Sequence, residues 1–204
     1  MTKKKRQALS ERLKEKQHFD SFPDDYWRYA VEYGVHYYIA GRFTVHAQFS
    51  FVPGALIHHA IELLLKACLA KKDKPEDVYT YHSTYGHKLD KLWSEFKLRN
   101  PSRSLSAYDT IVKQLDAFET IRYPEELVLN GARLDIGFGE YDPSLPEPEL
   151  TGANHYRLLL PQIDRLIRVL FECSEYNPDI LQLNEHSTPY LCSHNASPLK
   201  PCST

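Results

Sequence analysis

One helix that must be buried on nearly all sides, yet carries ionisable groups, constrains this chain most. Residues 54–70 read GALIHHAIELLLKACLA. Aliphatic residues occupy every face of such a helix, which places it at the centre of a helical packing rather than at its surface. His58, His59, Glu62 and Lys66 interrupt the apolar run. Glu62 precedes Lys66 by four residues, the favourable order for an ion pair along a helix, and His59 lies three residues before Glu62 on the same face. Polar groups that enter a core need partners. The phrase Gly86-His87-Lys88-Leu89 follows a short distance on, and His87 is expected to supply one. His59, Glu62, Lys66 and His87 therefore form the first candidate constellation. It is expected chiefly to lock two helices together, and alternatively to frame a small pocket for a nucleotide or other anion with Arg122 and Tyr123.

Flanking segments supply the rest of a bundle. Asp24 or Asp25 is positioned to cap a helix from Tyr26 to about His46, and Ala30, Gly34 and Gly41 line it with small residues. Glycine within a helix costs about 1 kcal/mol relative to alanine. Close approach of a neighbouring helix is the expected compensation, and the same small-residue face suggests a homodimer contact. The central helix starts near Ser50 to Pro53, with Pro53 confined to the first turn, and runs to about Lys71. Leu89, Leu92, Trp93 and Phe96 recur at helical spacing and predict a third helix that ends at Asn100-Pro101. A fourth is predicted from about Ser104 to Ile121, closed by Arg122-Tyr123-Pro124 because proline disfavours helical geometry in the residue before it.

Residues 124–153 change character. Asn130-Gly131, Gly137, Gly139, Pro143, Pro146 and Pro148 punctuate an acidic stretch, which reads as a long irregular excursion with a short hairpin around Arg133 to Tyr141. A fifth helix is predicted from Asn154 to about Tyr176, with Pro161 near its start or at a kink. The expected organisation is a basic extension over residues 1–20, a helical domain over 21–176, and an irregular tail over 177–204. The expected fold class is all-α, about five helices with the excursion before the last.

Charge is unevenly spread. Residues 1–17 hold seven Lys or Arg against Glu11 and Glu15, a balance of +5, so a chain of net charge −2 leaves −7 for the remainder. An acidic body makes a poor general phosphate-binding surface, since non-specific nucleic-acid affinity comes largely from Lys and Arg. The basic N-terminus lacks the apolar stretch of a signal peptide. No uninterrupted apolar run approaches the ~20 residues that cross a bilayer. A cytoplasmic protein without membrane contact is the expectation. Cys68 and Cys173 fall in apolar helical segments as buried thiols. Cys192 and Cys202 share the tail with His186 and His194, without the close ligand spacing of a structural zinc site. No metal and no cofactor is expected. A GxxxxGK[ST] phosphate loop is absent, and Gly137-Phe138-Gly139 lacks the strand-to-helix setting of a dinucleotide fingerprint.

Four phrases in order carry a family resemblance: Ala40-Gly41-Arg42, Ala60-Ile61-Glu62 with Lys66-Ala67, Gly86-His87-Lys88-Leu89, and Arg122-Tyr123-Pro124. Together they resemble the HEPN domain (higher eukaryote and prokaryote nucleotide-binding) over roughly Tyr26 to Tyr123, and more loosely over the last helix. The resemblance implies a bundle of four or five helices, frequent homodimerisation, and partners such as a nucleotidyltransferase or a defence system. Ribonuclease members use Arg-x(4–6)-His, in which arginine stabilises phosphate charge and histidine serves acid–base chemistry at the ribose 2′-OH. Here Arg122 is followed by no histidine at that spacing, and Arg42 and His46 have three residues between them. Arg12 and His18 match the spacing but lie in the basic extension. The leading expectation is a non-catalytic HEPN-like binding or scaffold module related to RNA or nucleotides. The alternatives are a metal-independent endoribonuclease with a degenerate site at Arg42, His46 or Arg122, and an unrelated helical interaction protein.

Overall fold

The computed structural model describes residues 26–72, 85–119, 125, 129, 131–139 and 154–176. The first two helices among the described residues, α1 (Tyr26–His46) and α2 (Val52–Lys72), pack antiparallel at a separation that glycine alone permits. A Cβ on Gly34 would sit 2.9 Å from Leu64 Cγ, and one on Gly41 would sit 2.6 Å from Ile57 Cγ1. The partner expected for the small-residue face is thus α2 of the same chain. That face is closed to a second copy, so a homodimer would have to use another surface.

The turn between these helices is a Schellman motif. Gln48 takes the left-handed conformation, φ 58°, Phe49 N–H reaches Thr44 O at 3.0 Å, and Gln48 N–H reaches Val45 O at 3.0 Å. Pro53 occupies the second position of α2, where its missing N–H costs no helical bond. Ile57, Ala60, Ile61, Leu64, Leu65, Ala67, Cys68 and Leu69 are buried over more than half the circumference of α2. The stretch Val52–Ala70 is long and apolar enough, by length and composition, to cross a membrane, contrary to the expectation from uninterrupted runs. Polar residues break the run without lowering its average enough. In this fold α1 and the later helices enclose it.

The remaining elements surround α2. Helix α3 (Leu89–Arg99) buries Leu89, Leu92, Trp93 and Phe96, the predicted stripe, and its last turn is fastened by Asn100 Nδ2 donating to Phe96 O at 2.8 Å. A single 3-10 turn, Ser106–Tyr108, precedes α4 (Asp109–Ala117), which buries Ile111, Val112 and Leu115. The fourth helix is therefore shorter at its start than predicted. Asp109 accepts Trp93 Nε1 and Lys97 Nζ, each at 2.6 Å, and so holds the start of α4 to α3. Gly54 on α2 leaves the space that the Phe118 ring fills; a Cβ there would fall inside the ring.

Two expectations in the second half are corrected. Strand β1 (Ala132–Gly137) forms no hairpin. It pairs in parallel with β2 (Asn154–Leu159), Ala132 opposite Asn154 and Gly137 opposite Leu159. The second error concerns β2, whose six residues were read as the opening of the fifth helix. Their burial alternates at period two, with Tyr156 and Leu158 buried while Arg157 and Leu159 are half-buried. Helix α5 (Leu160–Ser174) begins only there, with Pro161 in its first turn. Among the described residues the fold is all-α in character, five helices with one small parallel strand pair. The N-terminal extension, the capping residues Asp24 and Asp25, and the tail with Cys192 and Cys202 lie outside the described residues.

Candidate functional site

Glu62 is the centre of the predicted constellation. Its side chain is buried on α2, and one oxygen, Oε1, accepts the Lys66 ammonium one turn on. The other, Oε2, lies 3.0 Å from His87 Nδ1 and 3.5 Å from His59 Nδ1. Gly86, with φ 55°, turns the chain so that His87 reaches back from the approach to α3. Burial pushes the Glu62 carboxyl upward. Hydrogen bonds from His59, Lys66 and His87, with the Lys66 charge, outweigh that and hold it well below the usual carboxylate range. Four predicted residues thus meet at one carboxylate and join α2 to the start of α3. Arg122 and Tyr123 lie outside the described residues.

Arg42 has a different place. It is fully buried on α1, with Nη1 2.6 Å from Asp164 Oδ1 on α5. The Tyr38 hydroxyl donates to that same oxygen. Burial first, and then the Asp164 charge, hold the Tyr38 hydroxyl well above its ordinary pKa, so it remains a donor. This three-membered network ties α1 to α5 across the core. Arg42 is committed to it and presents no guanidinium to a solvent-borne phosphate. Its proposed companion, His46, packs its ring on Phe138 with centroids 4.7 Å apart.

Several cavities lie among the described residues, and one of about 540 Å³ is lined by the α1–α2 turn with Ile136, Gly137 and Phe138. A second, about 240 Å³, lies beside the Glu62 constellation and is lined by Tyr37, His58, His59, Glu62, His87, Phe118 and Glu119 among others. Two carboxylates in its wall make it a poor receptacle for phosphate. A third, about 440 Å³, opens between α4, β2 and α5. Tyr108, Thr110 and Gln114 come from the α4 side, Arg157 from β2, and Gln162 and Arg165 from α5, with Ala107 and Ile111 completing the wall. None of these lining residues is acidic.

No family model, curated protein or solved structure matches this chain. The site must therefore be read from its own chemistry. The cavity between α4, β2 and α5 pairs two guanidinium groups with two carboxamides, a hydroxyl and a phenol ring. Arginine forks suit carboxylate and phosphate oxygens, and carboxamides offer both donors and acceptors to a heterocycle edge. The volume falls within the range of small-ligand pockets. Sequence reading missed these residues because Arg157 belongs to a segment read as helix, and nothing in the chain order links it to Gln114. The available signal was the short polar–apolar alternation His155-Tyr156-Arg157-Leu158 just before Pro161.

Proposed function

We propose that this protein is a non-catalytic, HEPN-like binding module that takes an anionic ligand of nucleotide type in the cavity between α4, β2 and α5. The observation that carries this reading is the pairing of Arg157 and Arg165 with Gln114, Gln162 and Tyr108 around a 440 Å³ space whose wall has no carboxylate. A phosphate would sit against the guanidinium groups, and a base would meet the carboxamides and the Tyr108 ring. Tyr108 is itself steadied by an edge contact to Trp93, centroids 6.5 Å apart. Binding without turnover is supported by the wall composition, which offers no imidazole, carboxylate or thiol for acid–base or nucleophilic work. The commitment of Arg42 to Asp164 also weighs against a degenerate nuclease site on α1. A nucleotidyltransferase or a defence system using nucleotide signals is the kind of partner that such a module would serve.

Isothermal titration of the full chain with mononucleotides and a short RNA, at low salt and without metal, tests the reading. Arg165→Ala removes one charge-assisted contact of about 1.5–3 kcal/mol, which weakens binding roughly 10- to 100-fold. Nucleotide affinity unchanged in Arg165→Ala would refute the assignment of the cavity, and RNA cleavage in the same mixture would refute the absence of catalysis.

A further inference from the structure

Helix α1 buries one side of itself in the bundle and carries a second regular pattern on the side turned outward. Val31, Tyr38 and Val45, spaced one heptad apart, are buried. Across the helix from them, Tyr29, Tyr33, His36, Ala40, Phe43 and Ala47 follow one another at alternating intervals of four and three, the spacing of a coiled-coil seam. Tyr29, Tyr33 and Phe43 are 54%, 57% and 42% exposed. His36 and Ala47 are exposed as well, and Ala40 is half-buried. A helical hydrogen bond from Ala47 N–H to Phe43 O, 2.9 Å, carries the register to the last of the six. None of them is Lys, Arg, Asp or Glu, the residues that normally fill the solvent face of a surface helix. Three aromatic rings along one exposed line mark a face that meets protein.

We infer that this seam joins two copies of the chain, their α1 helices running antiparallel about a two-fold axis at the level of Tyr38. Side-chain size selects that arrangement. Reversing one helix about Tyr38 sets Tyr29 opposite Ala47, Tyr33 opposite Phe43 and His36 opposite Ala40. Two large groups then meet alanines, and the remaining pair places one aromatic ring on another. Each contact occurs twice, as a two-fold interface requires. A parallel pair would instead crowd Tyr29 on Tyr29 and Tyr33 on Tyr33, and would leave Ala40 facing Ala40 across a gap. From Tyr29 to Ala47 the seam is ~27 Å long. Its three rings, each about half exposed, offer roughly 300 Å² per copy, about half of the ~600 Å² per copy at the small end of specific interfaces. His36, Ala47 and the flanking groups must supply the rest, so the dimer is a weak one with a micromolar Kd. Gly34 and Gly41, which seat α2 against α1, are on the buried side and are untouched by it. The seam is independent of the arginine-lined cavity, so either assignment can fail alone.

Sedimentation velocity of the full chain over about 1–500 µM, a range that brackets a micromolar Kd, tests the inference. The expected result is a shift from monomer to dimer with concentration. Tyr33→Glu puts a charge in the middle of the seam and should weaken association about tenfold or more, while its circular dichroism melt stays at the wild-type temperature because the site is exposed. Leu98→Glu, at an exposed position on α3, is the comparison variant and should associate as the wild type does. Orientation is read by mixing Tyr29→Cys with Ala47→Cys, oxidising, and identifying the linked peptides by mass spectrometry, which resolves them from the native cysteines. A bond between positions 29 and 47 is expected to predominate. A monomer over the whole range, undiminished association of Tyr33→Glu, equal weakening in Leu98→Glu, or predominant linkage of position 29 to itself and of 47 to itself would each overturn the inference.

Discussion

Replacing Glu62 by Gln removes the charge that three partners share while keeping side-chain volume. Lys66, 4% exposed, then becomes a buried ammonium whose carboxylate is gone. Breaking a buried pair from one side costs about 3–5 kcal/mol. For a chain of this size each kcal/mol moves Tm by about 2–4 °C, so Glu62→Gln should melt roughly 6–20 °C below the wild type. The reference is thermal unfolding followed by circular dichroism at pH 7. A pH series then separates charge from packing. Glu62 has its carboxyl pKa lowered from an ordinary value of 4.5. Its contribution is therefore complete above that value and disappears as pH falls from 4.5 toward the depressed folded-state pKa. The wild type should lose stability over that acid window while the variant does not lose this part, and the two curves should converge. The double variant Glu62→Gln, Lys66→Met should recover much of the loss, because a buried pair replaced on both sides is often neutral. Unchanged melting of Glu62→Gln, or a double variant worse than the sum of the singles, would refute the view that this carboxylate holds α2 to the start of α3.

Asp164→Asn leaves Arg42 buried opposite a neutral amide and should cost about 3–5 kcal/mol in urea unfolding, with a smaller loss in Asp164→Asn, Arg42→Met. Gly54→Ala places a methyl group against the Phe118 ring and should cost about 1–3 kcal/mol by overpacking, checked by the same unfolding; Gly86→Ala, at a positive φ with nothing near the added Cβ, should cost about 1–2 kcal/mol of backbone strain. Arg165→Ala should leave Tm within about 2 °C of wild type, since half-exposed surface changes fall near 0.5 kcal/mol, so that its binding loss can be read without a folding correction.

The helical half was legible because helix periodicity and caps are local. The apolar pattern of α2 and the stripe Leu89, Leu92, Trp93, Phe96 need no knowledge of the rest of the chain. The contacts of Glu62 with Lys66 and His59 also follow from spacing along one helix, and His87 follows from the need of a buried carboxylate for partners. The strand pair was not legible. Four residues of alternation before Pro161 can be absorbed into a helix that begins six residues early, and a parallel partner 22 positions away in register (Ala132 opposite Asn154) leaves no turn signal between adjacent strands. The place of Arg42 was not legible for a related reason. Its partner Asp164 lies 122 residues later, and nothing in the neighbourhood of either residue announces that they meet. The Arg157–Arg165 cavity brings α4, β2 and α5 together and was hidden for the same reason.

The link from Arg42 and Tyr38 to Asp164 also has a consequence for synthesis on the ribosome. Helices α1 and α2 emerge early, but the carboxylate that neutralises Arg42 is made 122 residues later. At about 5–20 residues per second that interval is roughly 6–24 s, and α5 becomes available only after it. Until then the nascent chain carries a guanidinium with no place in an apolar core and a central helix whose far side has nothing to cover it. Docking of α1–α4 before release is therefore disfavoured, and the apolar surface of α2 is the part that a ribosome-associated chaperone would hold until α5 arrives.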